Sequence, residues 1–304
     1  MNIEVNNKMF EIIKLLGKGK GGYSYLVTDG KQKYVVKKIH HEPCSYYQFG
    51  NKIESEIDDY KFLKRIGINL PEMYDVDIDK EHILKEYIEG DTIFDMVQND
   101  VDVVKYVIQV KEMCKKLYAA NTNIDYFPTN FVPQDGKLYY IDYECNKYME
   151  EWNFENWGIK YWYKTKEFIS YVNKEIVKDF FKDGYEKHNY DKVMEIVAEN
   201  YIDHSPAGAR SNKDAVGILK IVEGMFKDLK LDILDVFEED NMVATRIKYS
   251  GVHVGECMGI KGTGNKIEFE ALENFKLQDG KIIESWGYWP DMQIKEILEG
   301  NNKK

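Results

Sequence analysis

An α+β chain in two parts is what the order of patterns along this sequence predicts. In the first half, short strand-like runs punctuated by glycines precede amphipathic helices. In the second half, from about Lys174, the order reverses: amphipathic helices come first and alternating strands follow. With 304 residues, the chain is long enough for two cores of ordinary size. The change of texture puts the boundary between Lys164 and Asn173, dividing the chain into 1–170 and 171–304.

Composition narrows the function classes. A hydrophobic content of 43%, with 14% aromatic residues, indicates folded domains. The net charge of −11 argues against general binding to nucleic acid or to anionic membranes. Cys44, Cys114, Cys145 and Cys257 are far apart with no C-x-x-C, so neither a zinc site nor a disulfide framework is expected; reduced thiols in a cytoplasmic protein fit. MNIEVNNKMF has no basic region leading into an apolar core, so no signal peptide is expected. No stretch approaches the roughly 20 apolar residues that span a bilayer.

In the first half, strand-like Ile12–Leu16 and Tyr23–Val27 flank Gly17, Gly19 and Gly22, a G-x-G-x-x-G. A dinucleotide site would need a helix directly after the glycines, but a second strand and the Asp29-Gly30 turn follow instead. Lys33–Ile39 is a β-branched strand carrying Lys37. Glu54–Ile66 has Ile57, Tyr60, Leu63 and Lys64 at helical spacing, and Pro71 ends the pattern. His82–Gly90 is a strand running into a polar turn, and Asp102–Ala120 is an amphipathic helix. The stretch from Asn121 to Glu144 then sets Asn130 five residues after Asp125. Through the Gln134-Asp135-Gly136 turn, it leads into a strand-like run, Lys137–Ile141, that delivers Asp142. A carboxylate for an attacking hydroxyl, plus an amide and a carboxylate for magnesium, is the set that phosphoryl transfer needs.

Taken in order, these features resemble protein-kinase-like enzymes, and most nearly the aminoglycoside/choline kinase branch, with H-G-D-x-x-x-x-N followed by I-D-[FWY]-E. Asn123 stands where that branch has histidine. The resemblance implies a compact bilobal kinase-like domain using ATP and Mg2+. Gly17, Gly19 and Gly22 would cover the phosphates, and Lys37 would hold the α- and β-phosphates. Glu56 would be its ion-pair partner, with Glu54, two residues earlier, the alternative. Adenine would bond to backbone near Glu86 to Ile88. Asp125 would act on the acceptor, and Asn130 and Asp142 on the metal. NKYMEEWNFENWGIKYW resembles the helix that follows the last motif, and the kinase-like part ends near residue 168.

In the second half, Ile176, Val177, Phe180, Phe181 and Tyr185 mark one helix. Tyr190, Val193, Met194, Val197 and Tyr201 mark a second, and Lys213–Phe226 a third. Val243, Thr245, Ile247 and Tyr249 alternate, as do Ile267, Phe269, Ala271, Phe275 and Leu277, and Asp279-Gly280 turns into Lys281–Trp289. NYIDHSP, YSGVHVGECMGIKGTGNKI and LQDGKIIESWGYWPD resemble SnoaL-like polyketide cyclases, which implies a cone-shaped α+β barrel. Asp291 matches the general acid/base of that family; its other reading is a cap on a helix starting at Met292. Glu273 shares the parity of the inward residues around it. His204 and His253 read as structural.

The expected protein is an ATP-dependent phosphotransferase acting on a hydroxyl of a small molecule or protein, fused to a SnoaL-like pocket, with possible homodimerisation through the second domain. Two alternatives stand beside it: a nucleotide-binding pseudokinase or sensor, and a cyclase-like isomerase whose chemistry lies only in the second half.

Overall fold

The computed structural model of the protein describes residues 1–42 and 50–300, so Cys44 lies outside the described residues. The chain divides into two compact units, Met1–Thr165 and Lys166–Lys304. The division falls a few residues ahead of 170/171, because Lys166–Phe181 is one continuous helix that a later cut would break.

The first unit opens with β1 (Asn2–Val5), β2 (Lys8–Lys18), β3 (Gly22–Thr28) and β4 (Lys33–Ile39), followed by helix α1 (Lys52–Arg65), β5 (Met73–Asp77) and β6 (His82–Glu86). The six strands form one antiparallel sheet in the order β1-β2-β3-β4-β6-β5. Val27, Val36 and Leu84 pack with Ile3, Val5 and Phe10 in one cluster, while Ile39, Ile53 and Ile83 join the sheet to α1 in another. Asn51 caps α1 by accepting from the Glu54 N–H, which fixes the rotational phase of the helix. After the sheet come α2 (Ile93–Gln98) and α3 (Val104–Ala119), whose buried stripe is Tyr106, Val107, Val110, Met113, Cys114 and Leu117. Four short strands follow: β7 (Thr122–Ile124), β8 (Phe131–Gln134), β9 (Lys137–Tyr140) and β10 (Cys145–Lys147). β7 pairs with β10, and β8 with β9.

The aromatic stretch after Glu144 is not the helix its resemblance implied. It forms short 3-10 turns at Glu150–Trp152 and Gly158–Tyr161. Close packing explains this: buried Trp162 donates to the Tyr126 carbonyl at 2.9 Å, and a Cβ at Gly158 would come within 2.5 Å of Tyr126.

The second unit contains α4 (Lys166–Phe181), α5 (Tyr190–Ile196), β11 (Val197–Asp203), α6 (Asn212–Met225), β12 (Phe226–Glu239), β13 (Met242–His253), β14 (Lys266–Gln278), β15 (Lys281–Tyr288) and α7 (Asp291–Leu298). The helix expected across 190–201 stops at Ile196, where the chain turns into β11 and pairs in parallel with β15. The five strands run in the order β11-β15-β14-β13-β12, antiparallel except for that one pair. β11 and β12 are its edges, so enclosure is completed by the helices packed on the sheet. Burial along β14 alternates without a break, with Ile267, Phe269, Ala271, Glu273, Phe275 and Leu277 inward. Among the described residues, no helix is long and apolar enough to cross a membrane.

Candidate functional sites

In the first unit, Lys37 lies at the centre of a partly buried ionic cluster. Its ammonium is paired with the Glu56 carboxylate and lies 3.1 Å from Asp142 Oδ1. Glu54 is exposed, so the phase of α1 settles the alternative in favour of Glu56. Burial works against every charge here. It pulls Lys37 down, but Asp142 and Glu56 outweigh it and hold the ammonium above its ordinary value. Burial pushes Glu56 up, and Lys37 offsets only part of that. Asp142 is also pushed up by burial, yet Lys37 and then Lys85 more than reverse it and hold the carboxyl at about 2. The Tyr143 N–H also donates to Asp142 Oδ1 at 2.8 Å.

Local hydrogen bonding brings the other members of the set alongside. The Asp135-Gly136 turn, with φ of 52° and 77°, is a two-residue hairpin that folds β8 onto β9. The Ile141 N–H donates to the Asn130 carbonyl at 2.9 Å, so the residue before Asp142 is tied to Asn130. Asn130 Nδ2 in turn donates to the Asp125 carbonyl at 3.3 Å. Asp125 Oδ1 accepts from the Phe127 N–H at 3.0 Å. Its carboxyl is raised, by desolvation first and then, against the hydrogen bond from Phe127, by the charge of Asp142. Asn123, at the histidine position, is buried and donates to the Met149 carbonyl at 2.8 Å.

Of the glycines, Gly22 is needed for a close approach: a Cβ there would meet the Lys38 carbonyl at 2.6 Å. Gly17 and Gly19 have no such neighbour, and the loop is pinned by the Gly19 N–H donating to Gly22 O at 2.9 Å. In the segment expected to meet a base, the Glu86 N–H already donates to Glu72 O at 2.8 Å. Ile88 is buried beyond the end of β6. The pattern reading did not single out Lys85, which is 5% exposed on β6 and donates to the Ile141 carbonyl at 2.6 Å.

The second unit encloses a cavity of about 420 Å3. Phe180, Leu219, Val222 and Met225 contribute apolar wall, and Ile221, Tyr288 and Asp291 are exposed lining residues at its rim. Glu273 is 7% exposed and lines the interior. Tyr249 Oη donates to Glu273 Oε1 at 3.2 Å. Opposite, on β15, is Gly287, where a Cβ would come within 3.1 Å of the Glu273 carboxyl carbon; glycine leaves room for the acid. Burial raises the Glu273 carboxyl to about 7, with Asp203 adding to the rise and hydrogen bonds from Tyr249 and Trp289 opposing it. Among the described residues, the cavity lining contains no lysine or arginine. Asp203 accepts from Ser205 N and Oγ, both at 2.7 Å, and more distantly from Ser285 Oγ at 3.4 Å. Ser285 shares a proton contact with Tyr201, so a polar chain runs along one side of the cavity.

Asp291 is the first residue of α7, one position earlier than expected, and its side chain does not cap the helix. It lies at the rim, exposed, while Glu273 is the buried acid. His204 stacks on Trp286 and bonds Glu284 at 2.9 Å. His253 is fully buried and bonds Thr263 at 3.1 Å. The inward phase of β13 and β14 made Tyr249 and Glu273 readable as interior; nothing in the pattern marked Asp203 or Ser285.

The profile of the family described as SnoaL-like polyketide cyclase matches residues 175–296. The second unit carries a SnoaL-like domain. Similar solved structures include wild-type IdmH of Streptomyces antibioticus, 22% identical, covering 42% of this chain and 98% of that one at a TM-score of 0.39. TsrD of Streptomyces laurentii is 19% identical, with 42% of this chain and 95% of that one covered at 0.40. A curated relative is a probable bifunctional tRNA threonylcarbamoyladenosine biosynthesis protein of Methanosphaera stadtmanae, 22% identical over 169 residues. That match takes in 54% of this chain but only 30% of the relative's length.

Proposed function

We propose that the first unit is an Mg-ATP-dependent phosphotransferase acting on an alcohol of a small molecule or protein. The observation that supports this reading is Lys37 paired with both Glu56 and Asp142, a cation of the kind that binds phosphates beside a carboxylate kept ionised. Asp142 Oδ2 accepts no hydrogen bond among the described residues, and Asn130 offers an amide oxygen nearby. Among the described residues, no group of three or more His, Cys, Asp or Glu could hold a metal alone. One carboxylate and one amide, completed by phosphate oxygens and water, match the sparse protein coordination typical of magnesium. Bound magnesium would neutralise phosphate charge. Lys37 would bind the α- and β-phosphates, and Asp125 would orient the acceptor hydroxyl and take its proton. Calorimetric titration with ATP, with and without Mg2+, tests the reading. Saturable binding that strengthens with the metal supports it, and no binding in either titration sinks it.

A second reading is favoured by Glu273 for the SnoaL-like domain: proton transfer on a neutral carbonyl compound. A carboxyl poised near neutrality in an apolar cavity can give up or take a proton at carbon, and Tyr249 can steady the ionised form. This moves the acid/base role from Asp291 to Glu273. Deuterium exchange into a panel of cyclic ketones and β-keto esters tests it, with exchange lost in Glu273→Gln and kept in Asp291→Asn as the supporting result.

A further inference from the structure

Lys85 is a buried charge that the phosphotransfer reading does not use. It stands on β6 opposite Val35 of β4, and Lys37 stands opposite Ile83, so the two lysines project from the same face of the sheet. Among the described residues, no carboxylate lies within ion-pair distance of Lys85. Its ammonium donates to the Ile141 carbonyl at 2.6 Å and lies 4.6 Å from the centroid of the Tyr143 ring. Ile141 and Tyr143 are the residues on either side of Asp142. One ammonium therefore grips the backbone before Asp142 and the side chain after it. Tyr143 is fixed further by its hydroxyl, which donates to the Pro71 carbonyl at 3.0 Å.

Charge balance points the same way. Glu56 and Asp142 bring two carboxylates into this cluster, and Lys37 supplies one cation. The second is Lys85, whose field acts on both acids. Burial and the like charge of Lys37 pull Lys85 down to about 8, against the fields of Asp142 and Glu56.

We infer that Lys85 is the positioning residue for Asp142: by holding Ile141 and Tyr143 it sets the carboxylate for the metal. The inference rests on the phosphotransfer reading. Outer partners that orient a metal ligand typically account for about 10- to 100-fold in metal affinity.

The test compares native protein, Lys85→Met and Lys85→Arg by calorimetric titration with ATP, once in Mg2+ and once in EDTA. In Lys85→Met the strengthening due to Mg2+ falls by about 10-fold or more, while binding in EDTA changes less than about 2-fold. Lys85→Arg, which keeps a cation for the carbonyl and the ring, restores most of the strengthening. If Lys85→Met does not fold, Lys85→Gln, which removes the charge but keeps a donor, is read in the same way. Unchanged strengthening in the neutral variant, or equal loss in both titrations as a merely structural role would give, overturns the inference. A native protein that binds no ATP overturns the phosphotransfer reading and this inference together. A native protein that responds to Mg2+ beside a neutral variant that responds equally overturns the inference alone.

Discussion

Asp142 and Glu273 are two acids in crowded surroundings with opposite charge states. Both are pushed towards the neutral form by desolvation. Asp142 has Lys37 at 3.1 Å and Lys85 nearby, and stays ionised down to about pH 2. Glu273 has tyrosine and tryptophan donors but, among the described residues, no lysine or arginine lining its cavity, and keeps its proton to about pH 7. Placement of cations separates the acid that stays ionised from the acid that keeps its proton. The first site is suited to holding charge still, the second to changing it.

The comparison breaks most visibly where a full charge is removed. On the phosphotransfer reading, Asp142→Asn is expected to abolish any strengthening of ATP binding by Mg2+, because an amide dipole does not replace a full negative charge on a divalent cation. Asp125→Asn should leave that binding nearly unchanged and reduce phosphoryl transfer by about 10^2- to 10^4-fold in single-turnover assays with radiolabelled ATP. Loss of binding in Asp125→Asn would move that residue from the acceptor to the nucleotide.

Much of the first site was legible in sequence because strands and motifs fix direction. Lys37 follows from a β-branched run, and Asp142 from a strand behind a glycine turn. Choosing Glu56 over Glu54 needed the phase of α1, which depends on the Asn51 cap and on packing of Ile53. Lys85 was hidden because a lysine in a strand reads as surface unless its tertiary partners are known. In the second half, parity along β14 exposed Glu273. The spacing of Val193, Val197 and Tyr201 misled because four residues return to the same face of a helix and also of a strand. β12 is hard to read from sequence because this edge strand lacks the clean alternation of β14, with only Phe226 and Leu231 buried. Asp291, singled out by family resemblance, lines the cavity from its exposed rim at the first turn of α7.

A smaller effect should appear in stability. Between the ordinary carboxyl value of 4.5 and about 7, the native protein retains a proton on Glu273 that the unfolded chain has lost. Stability from this group is therefore fully present below 4.5 and is lost as pH rises through about 7. The loss is on the order of 3 kcal/mol at most. Glu273→Gln should remove this dependence, so its unfolding free energy relative to native protein should improve as pH rises, measured by denaturant titration at several pH values. A constant difference across that range would mean that Glu273 titrates like an exposed acid.

The smallest expected change sharpens the contrast from the donor side. Tyr249→Phe removes a hydrogen bond that lowers the Glu273 value, so the midpoint should move upward from about 7. Lowering of the midpoint in this variant would contradict the assigned direction of that bond.

The most direct measurement is a carboxyl-carbon NMR titration of the full chain labelled at Asp and Glu, with Asp142→Asn and Glu273→Gln used to assign the two resonances. Asp142 should show no titration between pH 4 and 8, while Glu273 should titrate with a midpoint near 7. Both acids titrating together in the ordinary carboxylate range would contradict the account.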